Sequence, residues 1–418
     1  MKIADVSTPV VVLSPHHHGA LGIFRSLGQL GVPVYAVRDG TWAAPVSSRY
    51  CRGVFDWDVQ RAARTGSVAR LLEIGRLLGG RPVLISTDDA AVALVQDSAA
   101  ELRTVFNFPV LPAGLARRLS SKRELYFLCR ELGVPTPETV FPQSRADVVQ
   151  FIESAAFPVV VKGIDDSNSA RPKTPMRIVR SPRELLDYYS QIEEPFRLNL
   201  MLQEYIPGNA DSVWMFNGYF NRRSECLVGF TGRKLRQRPM DTGVTTLGVC
   251  LQNETVDRQM RRLLQSVAYR GIVDLGCRYD HRDGQYKLLD VNPRIGCTFR
   301  LFVDPRGMDV VRACYLDLTG QPVVSEAACE GRKWLVENRD LLELPAHLKS
   351  GKLTIAGWLR SLRGVREIAW FNWRDPVPFF AMLAGLVRSF LREKTARLDL
   401  RRATANSTPR RSPASENP

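Results

Sequence analysis

Short β-branched runs alternate with segments of helical apolar spacing along the first part of the chain. Val10–Leu13 is followed by apolar positions from 21 to 30 and by a second apolar run at 33–37. This pattern predicts a strand, a helix and a strand, and such crossovers join parallel strands. A further run at 82–86 repeats the strand pattern. We therefore expect a Rossmann-like domain over residues 1–115.

The middle of the chain predicts strands gathered around few helices. One helix is expected from Ser120 or Ser121, which suit an N-cap, to Leu132, and another at 257–269. The predicted strands lie at 158–162, 200–205, 213–220 and 226–230, with a hairpin at 272–291 that turns at Asp283-Gly284. The expected fold class is thus α/β at the start and α+β over residues 116–320, in two lobes.

The pattern changes after Gly320 to mixed helices that contain four of the seven tryptophans. A basic amphipathic helix is predicted from about residue 378 to 400. We expect a mostly helical C-terminal extension over 321–400 and a disordered tail over 401–418, because that tail is mostly Arg, Ser, Thr, Pro, Asn and Ala.

Charge and cysteine usage narrow the class of protein. The 418 residues carry a formal net charge of +15, which favours anionic partners. The eight cysteines form no C-x-x-C pair, which indicates reduced thiols and a cytoplasmic protein. No secretion signal is recognisable, and the apolar run at 377–387 is shorter than the roughly 20 residues that a membrane span needs.

The predicted hairpin carries the strongest chemical signal. Residues two apart in a strand share a face, so Asp290, Asn292 and Arg294 are expected to point together, and Asp274 can join them from the partner strand. Two carboxylates and an amide oxygen suit Mg²⁺, and an arginine suits an anion. The simplest alternative is a surface hairpin with alternating polar residues.

Two lysines and one basic strand add candidate phosphate ligands. Lys162 ends an apolar strand, where a buried ammonium needs an anionic partner, and Lys122 opens a helix, where a cation opposes the dipole unless an anion binds there. Lys234 and Arg236 lie on one face of a strand if the alternation is regular. Each pattern also fits a side chain that merely reaches solvent.

A third group of residues suits a flat heterocycle. Glu204, Tyr205 and Ile206 precede Pro207-Gly208, which ends a strand and leaves backbone groups free to hydrogen-bond. Asp211 follows seven residues after Glu204, within reach of ribose hydroxyls. A strand-to-turn junction without a ligand is the alternative.

In this order and spacing, the residues resemble the ATP-grasp superfamily over about residues 10–320, especially its carboxylate-amine ligase branch, and are similar to D-aspartate ligases. The resemblance implies an ATP- and Mg²⁺-dependent ligase that forms an acyl phosphate and joins a small-molecule carboxylate to an amine. It assigns Lys122, Lys162, Glu204, Tyr205, Ile206 and Asp211 to ATP. It assigns Asp290, Asn292 and Asp274 to Mg²⁺, and Arg294 with Lys234 or Arg236 to the transferred phosphoryl group.

The chain departs from the family at two places. The stretch 163–175, where relatives have a glycine-rich phosphate lid, has one glycine and adds Asp165 and Asp166. Gly276 or Arg278 stands where many relatives place a metal carboxylate, so that role passes to Asp274.

Two polar clusters are expected at the edge of the first sheet. His16-His17-His18 and Thr87-Asp88-Asp89 each follow a predicted strand, and ligands of open α/β sheets bind beyond such strand ends. We interpret them as a lip over the substrate cleft; exposed loops are the alternative.

Two other functions stay open. The charge and the basic C-terminal helix, with Phe379, Phe380 and Phe390, also fit a protein that binds nucleic acid or an anionic membrane surface. The unusual lid also fits a non-catalytic ATP-grasp protein.

Overall fold

The computed structural model describes residues 1–59, 62–164, 176–192, 200–240 and 243–406, with side chains described as far as residue 391. Three sheets form the framework of this described part, two with four strands and one with seven. The mixed α/β and α+β architecture that the sequence predicted is confirmed.

The first sheet is parallel and forms the Rossmann-like domain. Its strands pair in the order β3-β2-β1-β4, and β1 is fully buried because its all-apolar sequence packs on both faces. The strand β3 was not predicted. Its described members are β1 (Val10–Leu13), β2 (Val34–Arg38), β3 (Cys51–Asp56) and β4 (Val83–Ser86).

The second sheet is small and antiparallel, in the order β5-β8-β6-β7. Its apolar face, with Val159, Val161 and Leu202, packs against helices and shares a buried cluster with Leu185 of the helix at 182–192. This sheet is the first lobe of the middle region. Its strands are β5 (Thr139–Val140), β6 (Val159–Gly163), β7 (Arg177–Val179) and β8 (Leu200–Glu204).

The third sheet is the largest and carries the predicted hairpin. Its order is β13-β12-β9-β10-β11-β14-β15, antiparallel except for the last pair. The strand β10 is longer than predicted. The strands are β9 (Val213–Phe220), β10 (Cys226–Arg238), β11 (Val244–Cys250), β12 (Gly271–Asp280), β13 (Gln285–Asn292), β14 (Lys333–Leu335) and β15 (Val365–Ile368).

The helices lie on the faces of these sheets. Ser121 caps α6 by accepting from the Glu124 amide, as its sequence position suggested. The described helices are α1 (His18–Gly28), α2 (Arg64–Leu78), α3 (Asp89–Asp97), α4 (Ala99–Leu102), α5 (Leu115–Ser120), α6 (Lys122–Glu131), α7 (Arg145–Ser154), α8 (Pro182–Ile192), α9 (Glu254–Ser266), α10 (Val310–Leu318), α11 (Glu337–Lys349), α12 (Ile355–Ser361) and α13 (Val377–Asn406).

The C-terminal segment is not only helical, because it adds β14 and β15 to the large sheet. It also shares a core with the first domain: Phe24 of α1 belongs to one buried cluster with Trp334 and Trp370. A buried ion pair joins Arg25 Nε to Asp375 Oδ2 at 2.9 Å. The extension therefore holds the first domain against the large sheet.

The last helix, α13, continues to Asn406, so helix and not tail follows Arg401. Residues 407–418 of the expected tail lie outside the described residues. Among the described helices, none is both long enough and apolar enough to span a bilayer.

Candidate active site

The hairpin brings two carboxylates and an amide together on neighbouring strands. Asp274 pairs with Asn292 across the β12–β13 ladder, and Gly276 pairs with Asp290. The Asn292 amide nitrogen donates to Asp290 Oδ2 at 3.1 Å. The alternation of a strand therefore gathers the three predicted magnesium ligands, as the sequence indicated.

Two glycines leave room for the carboxylates of Asp290 and Asp274. A Cβ added at Gly276 would collide with Asp290 Oδ1, and one added at Gly296 would collide with the carboxylate of Asp274. Each carboxylate thus lies directly over a backbone that has no side chain. Gly296 was not predicted as part of the site, and Gly276 was interpreted only as a lost metal ligand. The signal in the sequence is a glycine near each acid.

The electrostatics of the acid pair favour a bound cation. Burial, and then the charge of Asp290, raise the pKa of Asp274 to about 7. Asp274 Oδ1 is buried and makes no hydrogen bond. Among the described residues no three His, Cys, Asp or Glu side chains cluster as metal ligands. The donor set is two carboxylates plus the oxygen of Asn292, which fits Mg²⁺ with water or phosphate completing the shell.

Lys234 supplies a cation beside these acids. Burial lowers the pKa of Lys234, although the nearby charges of Asp290 and Asp274 oppose that change. Its Nζ donates to the Gly243 carbonyl at 3.1 Å. The ammonium is therefore held near the two carboxylates. The resemblance predicted that Lys234 would contact the transferred phosphoryl group here.

Arg294 joins the acid pair to the first domain. Its Nε lies 2.7 Å from Asp89 Oδ1 in the first turn of α3, and its Nη2 donates to Asn292 Oδ1 at 3.0 Å. The guanidinium is thereby fixed between the hairpin and the end of the parallel sheet. Asp89, one of the predicted lip residues, is at the site.

The three histidines of the predicted lip diverge. His17 Nε2 lies 3.1 Å from the Thr87 carbonyl, and its Nδ1 accepts from the Gly19 amide at 3.0 Å. His18 is buried against Trp334, so it serves the core and does not line the cleft. His16 lies on the outside, 3.9 Å from an Asp39 oxygen.

His17 also contacts a cysteine that the sequence did not single out. Cys297 Sγ lies 3.4 Å from His17 Nδ1. Burial alone would raise the pKa of this thiol, but His17 and then Arg294 outweigh burial and lower it. A lowered thiol pKa beside the lip marks Cys297 as the most ionisable cysteine of this region.

The junction between the two lobes is built around Glu204. Its carboxylate accepts from Lys287 Nζ at 3.3 Å and from Arg282, and it also accepts from the Glu138 amide at 3.1 Å. Lys287 donates as well to Asp280 Oδ2 at 2.8 Å. Glu204 is therefore a charge-balanced acid at the junction of the two lobes; the contact with Lys287 was not predicted.

The segment after Glu204 lies against the large sheet. Arg278 lies over the Tyr205 ring at 5.8 Å and donates to the Gly208 carbonyl. Ile206 is buried, while Asp211 is exposed in a short 3-10 turn. The predicted adenine and ribose residues thus sit at one edge of the interlobe junction.

Lys122 reaches the end of β6, the strand that carries Lys162. Lys122 Nζ donates to the Gly163 carbonyl at 2.9 Å, one residue beyond Lys162. Lys162 pairs with Met201 in the ladder between β6 and β8. The structure brings the two lysines to one strand end, while the lid residues 165–175, with Asp165 and Asp166, lie outside the described residues.

Arg236 is not at the site. Its guanidinium makes two hydrogen bonds of 2.8 Å to Asp340, and the side chains of this pair are 7% and 1% exposed. Asp340 also accepts from Thr246 and Trp358. A register shift between Lys234 and Arg236 separates the two cations, so the regular alternation assumed from sequence does not hold.

Sequence comparison gives one relevant relative. The chain is 25% identical to a D-aspartate ligase of Enterococcus faecium (strain Aus0004) over 240 residues, which is 55% of this chain. The match spans 57% of the length of that relative, less than two thirds. No family model matches the chain.

Solved structures match over more of the chain. An N5-carboxyaminoimidazole synthetase from Staphylococcus aureus complexed with ADP is 12% identical with a TM-score of 0.61, covering 83% of this chain and 87% of that one. An L-amino acid ligase from Bacillus licheniformis is 13% identical with a TM-score of 0.57, covering 75% of each chain. The chain has the ATP-grasp fold that the sequence resemblance indicated.

Proposed function

We propose that this protein is an ATP-dependent carboxylate-amine ligase that works through an acyl phosphate. The single observation that carries the proposal is the crowded acid pair, in which burial and then the charge of Asp290 raise the pKa of Asp274 to about 7. Such a pair, with Lys234 and Arg294 beside it, is a site for a divalent cation and a polyphosphate. The ATP-grasp fold supports the same conclusion.

Asp274, Asp290 and Asn292 would hold Mg²⁺, which would neutralise charge on the nucleotide phosphates. Lys122 and Lys162, at one strand end, would contact these phosphates. Glu204 with the backbone of Tyr205 and Ile206 would hold adenine, and Asp211 would hold ribose. Asp211 is exposed in a turn, which leaves its carboxylate accessible to hydroxyl groups.

The reaction would proceed in two displacements. The substrate carboxylate oxygen attacks the γ-phosphorus and ADP leaves. Lys234 and Arg294 stabilise the charge that develops on the transferred phosphoryl group. The amine then attacks the acyl carbon, phosphate leaves, and the amine nitrogen loses a proton. Arg236, which the sequence offered for this role, has its guanidinium committed to Asp340, so we assign the role to Lys234.

The first domain would contribute the substrate pocket. His17 and Asp89 lie at strand ends that meet the hairpin, and Asp89 orients Arg294. An amino acid is the substrate class that we favour for one partner, because the matched relative is a D-aspartate ligase and a structural neighbour is an L-amino acid ligase.

A phosphate- and ADP-release screen tests this function. Mg-ATP is supplied with pairs from a panel of D- and L-amino acids, and we expect ADP release that depends on both partners. Lys162→Ala should reduce the release at least about a hundredfold, because a phosphate ligand is lost. The exposed Lys349→Ala is the matched control and should behave as the unmodified protein.

The glycine-poor stretch 163–175 favours one rival, a nucleotide-binding protein without catalysis. It predicts ADP and ATP binding that Lys162→Ala weakens, but no ADP release with any pair. That outcome would replace the ligase proposal.

A further inference from the structure

The last helix, α13, exposes an apolar stripe. Val377, Phe380, Leu383, Val387 and Phe390 recur at intervals of three or four residues, so they lie on one face of the helix. Their exposed fractions range from 39% to 67%. We call these five residues the outer stripe. A continuous row of large exposed hydrophobic residues marks a surface that binds something.

The opposite face fixes the helix to the protein. Ala381 and Met382 are buried in the core that joins the first domain to the C-terminal segment. Trp42 Nε1 donates to the Ala381 carbonyl at 3.3 Å, and the Arg388 guanidinium lies 4.9 Å from the Trp42 ring centre. The first turns of α13 are therefore anchored, and the outer stripe points away from the body.

Positive charge accompanies the stripe along the chain. Between Arg388 and the end of α13 at Asn406 the sequence has six Arg or Lys and two Asp or Glu, a net charge of +4, and we call this part of the helix the basic flank. The whole chain carries +15. An apolar stripe with a basic flank is the pattern of a helix that lies in the plane of an anionic bilayer.

Aromatic residues extend the surface at the start of the helix. Trp373 is 88% exposed and its ring lies 4.8 Å from that of Phe371. The ring centre of Phe371 in turn lies 5.5 Å from that of Phe379. Tryptophan favours the headgroup level of a bilayer, where its apolar ring and its N–H group are both satisfied.

We propose that α13 docks the protein onto an anionic lipid surface, with the outer stripe in the acyl boundary and the basic flank at the headgroups. A second copy of the chain is disfavoured, because pairing two such helices would bring two net positive flanks together. A nucleic acid would use the cations and leave the stripe in water. Only a lipid surface complements both features, and this inference is independent of the proposed ligase activity.

Sedimentation with lipid vesicles tests the proposal on the full chain. Vesicles of equal parts phosphatidylcholine and phosphatidylglycerol should bind the protein, and vesicles of phosphatidylcholine alone should bind it far less. Binding should weaken when NaCl is raised from about 0.1 M to about 1 M, because the Debye length falls from ~10 Å to ~3 Å. The triple variant Phe380→Ser, Val387→Ser, Phe390→Ser should bind at least about thirtyfold more weakly.

Leu77→Ser is the matched control, since Leu77 is 73% exposed on α2, far from α13 in sequence. It should bind as the unmodified protein does, and circular dichroism should show all variants folded. Equal vesicle binding by the triple variant and the unmodified protein would overturn the proposal. So would vesicle-independent dimerisation that the triple substitution abolishes, or binding to duplex DNA but not to anionic vesicles.

Discussion

Arg294 Nε and Asp89 Oδ1 lie 2.7 Å apart, which ties the strand of the candidate magnesium ligands to the first turn of a helix in the Rossmann-like domain. The same guanidinium donates to Asn292. Asp89 of the first domain and Asn292 of the hairpin therefore both orient the guanidinium before any substrate binds.

Asp89→Asn should weaken the ion pair that orients Arg294 while leaving the arginine in place. We expect kcat for ADP release to fall about tenfold, because the guanidinium loses its charge-assisted partner, while the affinity for ATP changes little. Steady-state kinetics and nucleotide titration measure the two quantities. Asp97→Asn removes an exposed acid of the same helix and is the control; an equal loss in that variant would contradict the positioning role.

The acid pair predicts a pH-dependent metal affinity. The pKa of Asp274 is raised to about 7, so its carboxyl group is protonated and a poor ligand below that pH. Calorimetric affinity for Mn²⁺ should rise about tenfold per pH unit between about pH 5 and pH 7, and then level off. Asp274→Asn should bind weakly with a flat profile, whereas the exposed Asp187→Asn should keep the slope.

The same shift has a consequence for stability in the absence of metal. An acid whose pKa is higher in the folded than in the unfolded state destabilises the fold once pH exceeds its unfolded value. The contribution of Asp274 to the free energy of unfolding should therefore decline as pH rises from about 4 to about 7. Denaturant titrations with and without Mn²⁺ check this, and the metal should restore most of the loss.

The buried pair of Arg236 and Asp340 predicts a structural and not a catalytic effect. Asp340→Asn should lower the free energy of unfolding by about 3 kcal/mol, because it leaves a buried cation without its counter-charge. Glu131→Gln, which breaks an exposed pair with Arg118, should cost less than about 1 kcal/mol. Urea unfolding of the two variants measures both changes in the free energy of unfolding. A lost ADP release at unchanged stability in Asp340→Asn would show that Arg236 matters at the site.

Cys297 should react faster with iodoacetamide than the buried cysteines. Its pKa is lowered, whereas burial raises the pKa of Cys129 and Cys250 to about 12. Mass spectrometry of partly alkylated protein should find the first label on Cys297. His17→Gln should slow this labelling several-fold because the imidazole that favours the thiolate is gone. An unchanged rate would show that the contact does not ionise the thiol.

Local periodicity predicted much of the fold. The run Val10–Leu13 and the alternating residues 285–292 form the strands that their patterns indicated, because a continuous apolar run suits a strand buried on both faces and an alternating pattern suits a strand buried on one. The same alternation placed Asp290 and Asn292 on one face. Their pairing with β12 followed because a short hairpin leaves few registers.

Only the tertiary structure decided which cations and histidines meet this site. The register shift in β10 sends Lys234 toward Asp290 and Arg236 toward Asp340, and a bulge depends on partner strands that local alternation does not encode. His17 and His18 diverge because His18 packs on Trp334, more than three hundred residues away. The sequence by itself determined β1, the hairpin strands and the acid pair that they carry. Contacts between distant segments decided the added strands β3, β14 and β15 and the cationic half of the site.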